Sequence, residues 1–147
     1  MTNPEIVING SSTLYQDYGV RMGEGFLDAL TEPLDLKDHI ENESRLEHGK
    51  RVVVEDEPKV RSREVLLDFT ITGKSATDFL AKKNAFLRMM YSGKITLQVP
   101  AVSEDVYHLI YLGKGAEYSM NANRTFCHMI LKFEEPNPMD RSALSRF

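Results

Sequence analysis

Only one cysteine, Cys127, occurs among the 147 residues, so no disulfide within the chain can staple the fold, and packing has to hold it. That usage suits a reducing compartment. Basic charge is also in short supply: 18 Lys and Arg against 22 Asp and Glu leave a formal charge of −4. Such a balance does not neutralise many phosphates, so nucleic acid is not expected as a sequence-specific partner. Long apolar runs are missing. No stretch approaches the roughly 18 residues of a membrane span, and Met1-Thr2-Asn3-Pro4-Glu5 has neither the basic nor the apolar region of a secretory signal. A protein soluble where it is made is the expectation. With 41% hydrophobic and 27% charged residues, the chain is long enough for one buried core and short for two domains.

Catalytic motifs are scarce as well. Gly73-Lys74-Ser75 follows a predicted strand and opens a predicted helix, as a phosphate-binding P-loop does, but the earlier glycine of that motif would have to stand where Asp68 is. A carboxylate followed by Phe69-Thr70-Ile71-Thr72 cannot turn successive N–H groups inward around an anion. Gly73 is therefore read as a turn, Lys74 as a solvated cation and Ser75 as a helix cap. The histidines are poorly spaced for a metal: Cys127 and His128 are adjacent on a strand and point to opposite faces, while His39 and His48 lie in irregular sequence beside Glu41, Glu43 and Glu47. His108 and His128 could meet across strands, but isolated strand histidines are usually satisfied edge groups. Ser11, Ser12 and Ser75 lack a Gly-x-Ser-x-Gly elbow, and Cys127, between Phe126 and His128, reads as a small buried hydrophobe. The acidic pairs Glu55 with Glu57 and Glu134 with Glu135 lie in a charged segment and at a strand exit. No catalytic residue, cofactor or metal site is expected.

What the sequence does carry is periodicity. Val65, Leu67, Phe69 and Ile71 alternate with Glu64, Asp68, Thr70 and Thr72, the pattern of a strand with one buried face, which Leu66 alone interrupts. The period then changes. Ala76, Phe79, Leu80, Phe86, Leu87, Met90 and Tyr91 recur at three- and four-residue spacing, which predicts one amphipathic helix over about 75–92, opened by Ser75 with Asp78 and closed by Gly93. Short alternating runs follow: Ile95, Leu97 and Val99 up to Pro100, then Val106 to Leu112, apolar on both sides. Gly113-Lys114-Gly115 is expected to turn the chain into a short strand Ala116–Met120. A second turn follows at Asn121-Ala122-Asn123, whose asparagines tolerate positive φ, and a final strand runs from Arg124 to Glu134 with Cys127, Met129, Leu131 and Phe133 on one face.

The N-terminal part is less regular. Glu5–Asn9 and Thr13–Tyr18 suggest a hairpin around Gly10-Ser11-Ser12, and Gly19–Leu30 is ambiguous between loop and strand. Residues 42–62 mix both charge signs and hold too few apolar groups to line a core, so a long projecting loop or hairpin arm is expected there. Residues 1–139 are taken as one β-rich domain and 140–147 as a C-terminal tail. The fold class is α+β, mainly β: an antiparallel β-sandwich or barrel with one packed helix and a long inter-strand arm.

The order of these elements resembles the phage tail-tube and distal-tail family. The likeness covers about residues 59–139 and lies in four features: the strand Val65–Ile71, the Gly73-Lys74-Ser75-Ala76-Thr77-Asp78 entry into one helix, the Tyr91-Ser92-Gly93-Lys94 exit, and the closing run Leu131–Pro138 with its Glu134-Glu135-Pro136-Asn137-Pro138 end. The resemblance implies a structural phage or prophage tail component in the virion tail, made in the cytoplasm of a bacterial host. Its partners would be copies of itself, as a hexameric ring, and other tail proteins. It also implies that the 42–62 arm reaches a neighbouring subunit, which makes Arg45, Leu46, Lys50, Arg51, Val53, Glu55, Lys59 and Arg61 the interface candidates. The alternative is a small apolar-ligand module, with the ligand between Leu67, Phe69, Leu97, Ile110 and Leu131, in space that Phe79, Leu80, Phe86, Leu87 and Met90 of the helix are suited to fill themselves.

Overall fold

In the computed structural model the strand predicted around Phe69 becomes the spine of the molecule. The structure describes residues 5–10, 12–34, 40–43, 50–53 and 61–142, with 40–43, 50–53 and positions 114 and 116 as backbone. Strand β6 (Arg63–Thr72) pairs antiparallel with β9 (Phe126–Glu135) through ten uninterrupted positions, from Arg63 opposite Glu135 to Thr72 opposite Phe126. Around this pair a single antiparallel sheet forms in the order β2-β1-β7-β8-β9-β6-β3 and curls into a half-barrel. Its other members are β1 (Val7–Ile8), β2 (Ser12–Thr13), β3 (Val20–Met22), β7 (Lys94–Gln98) and β8 (Val106–Met120). Strands β4 (Ile40–Glu43) and β5 (Lys50–Val53) pair with each other in a separate two-stranded sheet.

The long helix is α3 (Ala76–Met90). Ser75 Oγ accepts a hydrogen bond from the Asp78 N–H at 3.1 Å, and Asp78 Oδ2 accepts from the Lys74 N–H at 2.8 Å. The two side chains thus cap the helix start together, close to the expected capping arrangement. Gly93, at φ +93, lets the chain turn from the helix exit into β7. On the inner face Phe79, Phe86 and Met90 are buried, and Phe86 meets Phe69 edge-to-face with ring centroids 5.2 Å apart. Phe69 also contacts Phe133 and Phe26, so one ring of the central strand joins helix, sheet and N-terminal segment. Among the described residues no helix is long and apolar enough to cross a membrane.

Several local expectations need correction. The apolar stripe of α3 is narrower than its sequence suggests: Phe79, Phe86 and Met90 are buried with Leu87 partly so, whereas Leu80 is 51% exposed and Tyr91 69% exposed. The hairpin around Gly10 forms, with Val7 opposite Thr13 and Ile8 opposite Ser12, but its second strand stops at Thr13 and does not run to Tyr18. After Thr13 the chain forms α1 (Leu14–Tyr18), whose buried Leu14 anchors it, and Gly19 at φ +64 ends it. The ambiguous Gly19–Leu30 resolves into β3 and a second short helix, α2 (Phe26–Leu30), which buries Phe26 and Leu30. Gly113-Lys114-Gly115 does not end a strand either. β8 runs on through it, and the ladder against β9 absorbs the extra residues as register shifts between Tyr111 and Glu117. At the hairpin tip the positive φ falls on Arg124 (φ +57), while Asn121 serves as a clasp whose Oδ1 accepts from the Thr125 and Phe126 N–H groups at 2.9 and 3.1 Å.

Candidate functional site

Strand edges are where a sheet offers unpaired N–H and C=O groups to another chain. At one border of this sheet lies β2, two residues long; at the other lies β3, three residues long and followed by α2, whose last carbonyls are engaged by Arg63. Both ends are short. The longer opening is internal: β7 accompanies β8 as far as Ile110, with the Tyr111 N–H reaching the Gly93 carbonyl at 2.8 Å. Beyond that point, among the described residues, no strand pairs with the outer border of β8 through Met120.

Exposed apolar groups collect on the same hairpin. Tyr118, Met120 and Phe126 are each 40% or more exposed. Tyr118 and Met120 sit opposite Met129 and Cys127 of β9, on the face that carries α3, and the Lys83 ammonium lies 3.2 Å from the Tyr118 hydroxyl. Phe126 is on the opposite face with His128. The hairpin end is therefore a two-sided apolar tip beside an open strand border, a combination suited to contact with another protein surface.

Of the residues singled out for the arm, Lys50, Arg51 and Val53 lie on β5, opposite Glu43, Asn42 and Ile40 of β4. Arg61 is exposed at the approach to β6. Arg45, Leu46, Glu55 and Lys59 lie outside the described residues.

The polar groups weighed for chemistry are distributed as structural pairs. His108 Nε2 lies 2.7 Å from the Ser142 carbonyl, whereas His128 Nε2 lies 2.6 Å from Asp68 Oδ1. The two histidines do not meet. Despite its closeness to His128, Asp68 Oδ1, which is buried, has no formed hydrogen bond. Glu135, expected at an open strand exit, is instead fully buried between Arg63 and Arg141. Arg141 also lies over the Tyr107 ring, 4.6 Å from its centroid, and its carbonyl accepts from the Val106 N–H, which ties the start of the C-terminal segment to β8. Cys127 is buried, and that burial pushes its thiol above the ordinary range and keeps it neutral. Among the described residues no three His, Cys, Asp or Glu side chains gather as metal ligands. The space considered for an apolar ligand is occupied by Phe86 against Phe69, and Ile110 lies on the other face of the sheet, opposite Glu134.

Comparison with solved structures places this geometry. The fold is similar to that of the SPP1 Dit (gp 19.1) protein. The superposition has a TM-score of 0.59 at 12% sequence identity and covers 93% of this chain and 51% of that one. This chain thus spans about half the length of SPP1 Dit, whose crystal structure is presented as a paradigm of hub adsorption apparatus in phages that infect Gram-positive bacteria. No protein-family model and no curated protein matches the chain.

Proposed function

We propose that the chain is a structural component of a phage or prophage tail, of distal-tail type, that works by assembling and not by catalysis. The observation that carries this reading is the likeness of fold to SPP1 Dit over 93% of the chain. The open border of β8 supports it, because a ring subunit needs edges and projections that a neighbour can complete. In this reading the subunits form a closed ring of six in the virion tail, after synthesis in the bacterial cytoplasm, with other tail proteins stacked on it. Residues 42–62 form the arm that grips the next subunit, with Arg45, Leu46, Lys50, Arg51, Val53, Glu55, Lys59 and Arg61 as its contacts. Residues 1–139 act as one assembling domain, with 140–147 as a C-terminal tail whose Arg141 and Ser142 are held against it.

Native mass spectrometry and negative-stain electron microscopy of the purified chain test the proposal. A ring with a central opening is the expected result. A monomer at every concentration, both alone and mixed with partner tail proteins, would overturn it.

A further inference from the structure

A cleft of about 340 Å³ opens between α1, β3 and the start of α3, a volume within the range of small-molecule sites. Its lining is cationic although the whole chain is acidic: Arg21 of β3, Lys74 before α3 and Lys82 on α3 all border it. The Arg21 guanidinium sits over the Tyr15 ring, 4.2 Å from its centroid, which positions the group and leaves its N–H donors unspent. Among the described residues neither Arg21 nor the Lys74 ammonium is held in an ion pair, whereas Lys82 contacts Asp78 at 3.1 Å. One carboxylate against three cations leaves a local surplus of positive charge.

The floor of the cleft is built for close approach. A Cβ at Gly19 would stand 2.5 Å from the Thr72 carbonyl oxygen and 3.1 Å from Lys82 Cδ, so only glycine lets the Lys82 stem and the Thr72 backbone draw together there. The helix start is not the attractive element. Two N–H groups there are already engaged, the Lys74 N–H by Asp78 and the Asp78 N–H by Ser75. Side-chain cations carry the attraction.

We propose that this cleft binds a phosphate group, either free or carried on a small polyol, between Arg21, Lys74 and Lys82. A dianion satisfies the two unpaired cations directly, and the planar fork of Arg21 suits two of its oxygens. The site is independent of the tail-assembly reading.

Calorimetry and ¹H–¹⁵N spectra of the full chain, titrated with sodium phosphate and with glycerol 3-phosphate at an ionic strength held constant by sodium chloride, test the proposal. Saturable shifts are expected at Gly19, Arg21, Gly73 and Lys74. Arg21→Gln and Lys74→Gln, both at exposed positions, should each weaken binding about tenfold or more with unchanged circular dichroism, while Arg88→Gln, near the other end of α3, should leave it intact. Tighter binding of glycerol 3-phosphate would assign the site to organic phosphates, and equal binding would assign it to the free anion. Shifts reproduced by chloride alone, or an affinity unaltered in Arg21→Gln, would overturn the proposal.

Discussion

Arg63 Nε donates to Glu135 Oε1 across 2.6 Å at the first rung of the β6–β9 ladder, and the Glu135 side chain has no solvent exposure. Two further donors of Arg63, on Nη1 and Nη2, go to the Ala29 and Leu30 carbonyls at 3.2 and 2.7 Å, and Arg141 reaches both carboxylate oxygens at 3.0 and 3.1 Å. One buried acid thereby joins α2, the sheet and the C-terminal segment. Removing it strands two arginines. Glu135→Ala should cost about 3–5 kcal/mol in urea unfolding. Glu64→Gln breaks the exposed pair with Lys132 in the same ladder and should cost less than about 1 kcal/mol. Equal losses for the two would mean that Glu135 is reached by water.

Phe86→Ala should destabilise the domain by about 3–5 kcal/mol, because the ring is fully buried and stacks edge-on against Phe69 at the centre of the core. Leu80→Ala, on the exposed side of the same helix, should change stability by under about 1 kcal/mol. Thermal or denaturant unfolding of the pair separates the two faces of α3.

Assembly should depend on surfaces that folding does not need. Deleting residues 46–60 should leave the circular dichroism spectrum and the unfolding midpoint nearly unchanged while lowering the oligomer fraction in native mass spectrometry. Loss of folding would mean that the segment belongs to the core. Met120→Lys and Tyr118→Lys place charge beside the open border of β8 and should act in the same direction, reducing oligomers with a stability change of about 0.5 kcal/mol or less.

Two titrations give opposite signs of protection. The Lys74 N–H and the Lys82 ammonium hold the Asp78 carboxyl below its ordinary pKa of 3.8. Its contribution is therefore complete above that value and disappears as pH falls through the lower folded-state value. Asp78→Asn should flatten this acid limb of a stability–pH curve by lowering stability at neutral pH, and leave stability at strongly acid pH, where the native carboxyl is protonated, little changed. For Cys127 the direction is upward, so the native thiol should resist disulfide reagents at pH 8 and react only on unfolding. Rapid native labelling would contradict its burial.

Strand β6, helix α3 and the inward face of β9 were legible because each buries one face against a partner, and that leaves a period in the sequence. Phe69, Phe86, Cys127 and Phe133 all fall where the period predicts. The N-terminal helices left no such trace: five residues make barely more than a turn, and Leu14 or Phe26 alone cannot declare a repeat. The burial of Glu135 is hidden in the sequence for a different reason. Its partner Arg63 is 72 positions away and becomes a neighbour only when β6 and β9 pair. The cationic cleft is equally non-local. Arg21 is brought to Lys74 and Lys82 by the β3–β6 pairing, and the Gly73-Lys74-Ser75 signal pointed to the right stretch of chain for a motif that is not there.

From Tyr111 to Tyr118 strand β8 takes seven steps while β9 takes four, from Phe133 to Met129. The odd count reverses inside and outside, so that odd-numbered side chains face the helix before the glycines and even-numbered ones after them. Had the spacer held one residue more against the same ladder, Glu117 and Ser119 would stand where Tyr118 and Met120 now do. The character of the hairpin's far end, greasy or charged, is thus governed by the length of a glycine-bearing spacer, and single-residue insertions or deletions there would recast that end in one step while the strands behind it kept their pairing.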